Sequence, residues 1–358
     1  MARVYNFSAG PAVLPLEVLE EAQRELTDFG GSGMSIMEAS HRGKEYSAVH
    51  EEAVAGTREL LGLSDDYAVL FLQGGASTQF AMVPMNLLGD GQTADYANSG
   101  AWASKAIKEA KLIGRVNVAA DCGKEIPTRV PRPDELRLTP GAAYVHITSN
   151  ETISGAQWKR FPECEAPLVA DMSSDILSRP FDASRFGLIY AGAQKNLGPA
   201  GMTLVVIRKD LAGRASERLP TMLRYKTHVE ENSLYNTPPC FAIYIYMLVG
   251  RWIRKMGLDA LYRRNVDKAA KLYAAIDAGK FYRGTAVREC RSDMNVTWRL
   301  PSEELEERFV KEASKQGLKG LKGHRSVGGL RASLYNAFPP EGVDALVAFM
   351  QDFERRNG

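Results

Sequence analysis

Hydrophobic and polar positions repeat along this chain with two different periods. Leu16, Leu19, Ala22, Leu26 and Phe29 recur at helical spacing behind Pro15, a residue suited to a helix start, so the pattern predicts a helix over residues 15–29. From about residue 65 to 210, short apolar runs alternate with helical stretches. The runs at 68–72, 144–147, 168–170, 188–191 and 203–207 predict buried strands. Strands alternating with helices make a mainly parallel sheet with helices on both faces. Residues 241–253 are apolar nearly all round, which predicts a buried helix, of a kind also found at subunit interfaces.

After about residue 258 the pattern changes. Val296, Trp298 and Leu300 alternate as a half-buried strand, and Leu305, Phe309 and Ala313 form a helical stripe that stops at Gly317. Leu330, Ala332 and Leu334 alternate with Arg331, Ser333 and Tyr335, so Arg331 faces away from the apolar side of its strand. Val343, Leu346, Val347 and Met350 close the chain with an amphipathic helix. Two units follow: a large one over residues 16–257, and a small α+β one built from 1–15 plus 258–358.

Composition narrows the class. The chain has 358 residues, is 45% hydrophobic and 25% charged, and carries a net charge of +2, which supplies no basic field for nucleic acid or membrane surfaces. The apolar run at 240–250 is too short to span a bilayer, and no apolar secretory segment precedes Pro11 and Pro15. Cys122, Cys164, Cys240 and Cys290 lack metal-ligand spacing, so no metal is expected. A cytoplasmic protein with reduced thiols is the simplest reading.

Three segments carry candidate chemistry. Lys195 lies in Ala191-Gly-Ala-Gln-Lys-Asn-Leu-Gly-Pro-Ala-Gly201, a tight loop between two apolar strands with no other charge nearby in sequence. Poor solvation lowers an amine's pKa and makes it a nucleophile towards an aldehyde; a surface hairpin lysine would explain that segment alone equally well. Asp171 ends the apolar run Pro167-Leu-Val-Ala-Asp171. A strand-end carboxylate can pair with a protonated ring nitrogen in the crevice of an open sheet, or merely cap the next turn. Gln73-Gly-Gly-Ala-Ser77 joins a strand to a helix, with Ser77 placed to cap it, and the free N–H groups of a first helical turn face an anion. It is neither a Walker loop nor a dinucleotide fingerprint.

An acid at one strand end and a lysine about two dozen residues later match the way pyridoxal-phosphate (PLP) enzymes arrange electron sink and anchor. Two cationic pairs, His41-Arg42 and His324-Arg325, lie beside glycines outside any helical stripe. With Arg331 they could form an anion site, or each could be a solvated loop. His50, His146 and His228 read as ordinary structural or surface histidines.

These residues resemble the phosphoserine aminotransferase family of the class V aminotransferase group. The likeness rests on Tyr5-Asn-Phe-Ser-Ala-Gly-Pro, Ser40-His-Arg-Gly43, Gln73-Gly-Gly-Ala-Ser77, Asn98-Ser-Gly-Ala-Trp102, Ser149-Asn-Glu-Thr-Ile-Ser-Gly155, Asp171-Met-Ser-Ser174, Gln194-Lys195, Tyr235-Asn-Thr-Pro-Pro239 and Gly323-His-Arg-Ser-Val-Gly-Gly-Leu-Arg331. It implies the type I PLP-dependent transferase fold, an α/β fold with a mainly parallel seven-stranded sheet in a large domain and a smaller α+β C-terminal domain. It implies PLP as cofactor, with Lys195 binding its aldehyde and Asp171 pairing with its ring nitrogen.

By the same resemblance Trp102 stacks on the ring, Thr152 and Gln194 contact it, and Ala76 and Ser77 meet its phosphate. Asn236 and Thr237 would reach that phosphate from the partner of a homodimer with shared sites. His41, Arg42, His324 and Arg325 would face a substrate phosphate, and Arg331 a substrate α-carboxylate. The implied reaction converts 3-phosphooxypyruvate and L-glutamate to O-phospho-L-serine and 2-oxoglutarate, the transamination of serine biosynthesis. Use of the phosphorylated threonine precursor of pyridoxine stays open. So do a serine–glyoxylate aminotransferase and a non-catalytic PLP-binding protein. A cysteine desulfurase would need a mobile C-terminal cysteine, and none follows Cys290. Some family members carry arginine in the glycine turn where this chain has Ala76-Ser77, which leaves the turn's part in substrate binding open.

Overall fold

The structure, a computed structural model, describes residues 3–358; Met1 and Ala2, assigned above to the small unit, lie outside the described residues. The chain enters as an extended segment whose Tyr5–Asn6 pairs in parallel with Leu318–Lys319. Helices α1 (Leu16–Arg24) and α2 (Lys44–Leu61) follow. The main sheet is then laid down as β1 (Tyr67–Leu72), α3 (Gly75–Leu87), β2 (Thr93–Asn98), α4 (Ala101–Ile113), β3 (Arg115–Asp121), β4 (Val145–Thr148), β5 (Leu168–Asp171), β6 (Phe186–Gly192) and β7 (Thr203–Arg208).

Its seven strands lie in the order β1-β7-β6-β5-β4-β2-β3. Only β7 runs against its neighbours; the other adjacent pairs are parallel. The C-terminal ends of the six co-directional strands therefore share one edge, where ligands bind in open α/β sheets.

Strands β1, β4, β5, β6 and β7 are covered on both faces, which explains their unbroken apolar runs. Val69 and Phe71 pack on one side with Tyr46, Val49, Ile243 and Leu248. Ala68, Leu70 and Leu72 pack on the other with Phe80, Val83, Ala106 and Ile107. Strand side chains alternate between faces, so one run feeds two cores. Helix α5 (Cys240–Met256) is the all-round apolar segment, and it is buried within its own chain against α2 and α1.

A third core belongs to the C-terminal part: α6 (Leu258–Asp277), β8 (Arg283–Gly284), β9 (Asn295–Arg299), α7 (Glu303–Lys315), β10 (Leu330–Ser333) and α8 (Pro340–Asn357). Trp298, Phe309, Leu346 and Phe353 fill it, and Phe7 from the N-terminal segment joins them. Helix α7 starts at Ser302, whose Oγ accepts Leu305 N–H at 3.2 Å.

Two expectations need correction. Helix α1 ends at Arg24, not near 29, and buries Val18 and Ala22. Leu16 (48%), Leu19 (36%) and Leu26 (41%) stay exposed, so the leucine stripe is not the face turned to this chain's core. Strands β2 and β3 fall outside the apolar runs, because each carries polar residues that are bonded in place. Asp95 in β2 accepts Thr139 N–H at 2.7 Å and Asn117 Nδ2 of β3 at 2.8 Å. Among the described residues no helix is long and apolar enough to cross a membrane.

Candidate functional site

Three strand ends supply the reactive groups. Asp171 is the last residue of β5, Lys195 lies just past β6, and the glycine turn follows β1. All three line one cavity of about 280 Å³, with Ala9, Gly10, Trp102, Thr148, Asn150, Thr152, Gln194, His324 and Arg331. A cavity of about 340 Å³ lies elsewhere, lined by Arg263, Arg264, Lys268 and Lys271, but it has no strand-end acid or aromatic face. Chemistry, not volume, selects the site.

Burial lowers the pKa of Lys195, and the charges of Asp171 and then Glu151 oppose that shift. Nζ stands 5.7 Å from the centroid of the Trp102 ring. The loop around it is pinned from the N-terminal segment, where Ala12 N–H donates to Gln194 O at 2.9 Å. Asp171 is shifted upward by burial, while Lys195 and Ser173 hold it down. Its Oδ1 accepts Ser173 N–H at 2.9 Å and Ser173 Oγ–H at 2.6 Å. Its hydrogen bonds thus gather on one oxygen, leaving Oδ2 for a proton donor in the cavity.

At the glycine turn the structure corrects one expectation. Gly74, at φ +87°, precedes the helix, so Ser77 is its third residue and not its cap. The turn needs glycine there, since a Cβ on Gly74 would lie 1.9 Å from Thr78 Oγ1. The first bond across the turn runs from Thr78 N–H to Gly74 O at 3.3 Å. The N–H groups of Gly75, Ala76 and Ser77 precede it and point out of the helix start, which suits an anion.

Arg331 leaves β10 away from the C-terminal core and reaches the segment after β4, where Nη1 donates to Thr152 O at 2.9 Å. Its Nε is buried with no hydrogen-bond partner. His324 is shifted downward, first by burial and then by the cations of Arg331, Arg325 and Lys105. A rim of unneutralised cations favours an anionic ligand.

Not all predicted residues meet here. Arg42, Arg325, Asn236 and Thr237 are absent from the cavity lining, as is His41. His41 and Thr237 instead lie together, Nδ1 to Oγ1 at 3.4 Å, and Gln73 Nε2 donates to Thr237 O at 3.3 Å. The other histidines, His50, His146 and His228, are buried, and His146 Nε2 bonds Tyr190 Oη at 2.9 Å.

Two residues at the site carried no sequence signal of their own. Lys105 sits one turn after Trp102 on α4, its Nζ 3.9 Å from the ring centroid. Glu151 was visible only as part of a motif, yet its carboxylate is buried beside Trp102.

The arrangement combines a nucleophilic amine, an acid that can hold a ring proton, an aromatic face, an anion-binding helix start and an anion-seeking rim. The family model for class V aminotransferases matches residues 4–346. A curated phosphoserine aminotransferase of Desulfosudis oleivorans is 59% identical over 360 residues, with 99% of each chain covered. The solved phosphoserine aminotransferase from Bacillus circulans subsp. alkalophilus aligns at a TM-score of 0.96 and 57% identity over 99% of both chains. The crystal structure of PLP-bound phosphoserine aminotransferase from Trichomonas vaginalis aligns at 0.94 and 42% identity, covering 98% of this chain and 100% of that one.

Asp171 raises the pKa of Lys195, so removing its charge must lower it further. In the cofactor-free protein, Asp171→Asn moves the pH midpoint of Lys195 labelling by an amine reagent to lower pH. A midpoint equal to wild type would show that the two groups are not coupled.

Proposed function

The chain belongs to the class V aminotransferases, and on that premise we propose that it transfers the amino group of L-glutamate to 3-phosphooxypyruvate, giving O-phospho-L-serine and 2-oxoglutarate. It has the type I PLP-dependent transferase fold. The observation that carries the reading is one cavity holding the amine of Lys195, the acid of Asp171 and, at its rim, the Arg331 cation with His324.

The chain's own residues suit PLP. The orphaned Oδ2 of Asp171 would hold the proton of the ring nitrogen, and Trp102 would cover a ring face beside Thr152 and Gln194. The helix start at Ala76 and Ser77 would take the phosphate. When bound, the cofactor supplies an electron-withdrawing ring that makes a substrate α-carbon acidic. Lys195 Nζ would hold the cofactor's aldehyde and, once the substrate amino group had displaced it, would be a free amine placed to take the proton from the substrate α-carbon. Its lowered pKa keeps that amine unprotonated at lower pH than an ordinary lysine.

Arg331 carries the α-carboxylate: its Nε is unpartnered and its Nη1 is steadied by Thr152 O. The rim must accept a phosphate and a γ-carboxylate in turn, and guanidinium forks bind both. His324 lines the cavity, and Arg325, outside the lining but close enough to act on His324, would reach the phosphate from beside it. The contact between His41 and Thr237 places His41-Arg42 beside Asn236-Thr237, and all four would act together in the partner's site of a homodimer.

Purified protein should form phosphoserine from glutamate and 3-phosphooxypyruvate. Lys195→Ala should lose the visible absorbance of bound cofactor and nearly all turnover while keeping its circular-dichroism spectrum. Turnover retained in that variant would remove the central claim.

Arginine variants separate the two anion contacts. Arg325→Ala should lower kcat/KM for phosphoserine about tenfold or more, from loss of a charge-assisted hydrogen bond worth roughly 1.5–3 kcal/mol, and should barely affect alanine. Arg331→Ala should weaken phosphoserine, glutamate and alanine alike. Equal losses across substrates for Arg325→Ala would place Arg325 outside the phosphate pocket.

Mixing Lys195→Ala with an Asn236→Ala/Thr237→Ala double variant, each inactive alone, should restore activity through hybrid dimers. No recovery, once subunit exchange is demonstrated, would count against a shared site.

A further inference from the structure

Glu151 is completely buried, and the reaction above makes no use of it. It follows Asn150 just beyond β4, and its carboxylate turns inward to the start of α4. Oε1 accepts Ala103 N–H at 2.9 Å and Oε2 accepts Trp102 N–H at 3.1 Å. These are first-turn donors that the helix cannot satisfy itself. The carboxylate can approach only because residue 100 is glycine: a Cβ there would lie 2.6 Å from Glu151 Cδ.

The next residue grips the same tryptophan at its other end. Trp102 Nε1 donates to Thr152 Oγ1 at 2.8 Å. Consecutive residues thus hold Trp102 by its backbone and by its indole, and Thr152 O in turn steadies Arg331.

Burial pushes the Glu151 carboxyl up to about 7; the two N–H bonds and Lys195 act against that, and Asp171 adds to it. The positive end of α4 also favours the charged form. Both oxygens accept, so the geometry uses the carboxylate in full. Glutamine would present one acceptor and one N–H₂ group, turning one bond into a donor facing a donor. Aspartate would keep the charge but fall one methylene short.

We propose that Glu151 is a positioning residue that sets the orientation of Trp102, and through it the face offered to the cofactor ring. This rests on the PLP reading above. It differs from simple helix capping, because a cap would support the fold whether or not residue 102 were aromatic.

The test is a double-mutant cycle read as the dissociation constant of PLP, by equilibrium dialysis of the full-length protein, with thermal melting of each cofactor-free variant as control. Glu151→Gln and Glu151→Asp should each weaken PLP binding about tenfold, the scale of one charge-assisted hydrogen bond. In a Trp102→Ala background the same changes should cost less than about twofold. Unaltered affinity in both single variants would overturn the proposal. So would an equal loss with and without Trp102, which would mean that Glu151 acts by charge or by capping alone. If Glu151→Gln does not fold, Glu151→Asp decides by the same cycle; failure of both to fold would make Glu151 a structural residue and overturn the proposal as well. Wild-type protein that binds no PLP would sink the cofactor reading and this inference together, whereas wild-type binding with unaltered variants sinks this inference alone.

Discussion

One amine and two carboxyl groups are buried together at one edge of an apolar sheet, and the rest of the structure answers to that constraint. Burial shifts Lys195 downward and Asp171 and Glu151 upward, each against its charged form. Taking an ion out of water costs several kcal/mol, and only close, oriented partners offset it. For the two carboxyl groups those partners include backbone N–H groups just past a strand end and at a helix start. Ser173 serves Asp171, and its Oγ also accepts Gly192 N–H at 3.0 Å, tying the end of β5 to the end of β6, just before Lys195. The first turn of α4 serves Glu151. The charges also lean on one another, so the site works as a unit.

That arrangement needs a lid, and the lid comes from distant sequence. Ala9 and Gly10 line the cavity from the N-terminal segment, and Tyr335 Oη holds Ala9 O at 2.7 Å. A buried amide chain then joins the segment after β10 to the lysine loop. Asn336 N–H donates to Asn196 Oδ1 at 3.0 Å and its Nδ2 to Leu177 O at 2.8 Å. Asn265 bonds Asn336 at 2.8 Å, and Lys268 Nζ collects the carbonyls of Leu334, Tyr335 and Phe338. Leu177 keeps φ at +54° within this network, a conformation that a non-glycine residue holds only when its surroundings demand it. The reach of Arg331 into the cavity depends on these contacts, since β10 ends where they begin.

Much of this was legible along the chain. Apolar runs marked β1, β4, β5, β6 and β7 because both faces of each are covered, and alternation around Arg331 correctly separated it from the small core. Strands β2 and β3 escaped because Asp95 and Asn117 look like loop residues until Thr139 is seen to bond Asp95. The leucines of α1 looked like core because periodicity reports an apolar face and not what covers it. Ser77 looked like a cap because composition favours serine there, whereas two successive glycines at positive φ start the helix earlier.

The sequence by itself determined the alternation of strand and helix, the strand-end acid, the isolated lysine loop and the glycine turn, since each is a local consequence of burial or backbone freedom. Only the tertiary structure decided which of them meet. Strand order places β1, β5 and β6 so that their C-terminal ends open on one cavity, although Gly75 and Lys195 lie 120 positions apart. It also decided that His41 sits beside Thr237 and not beside Lys195, and that Glu151 turns inward to hold Trp102. Such contacts depend on the path of the backbone between elements, and a buried charge is distinguished from a solvated one only by what surrounds it in space.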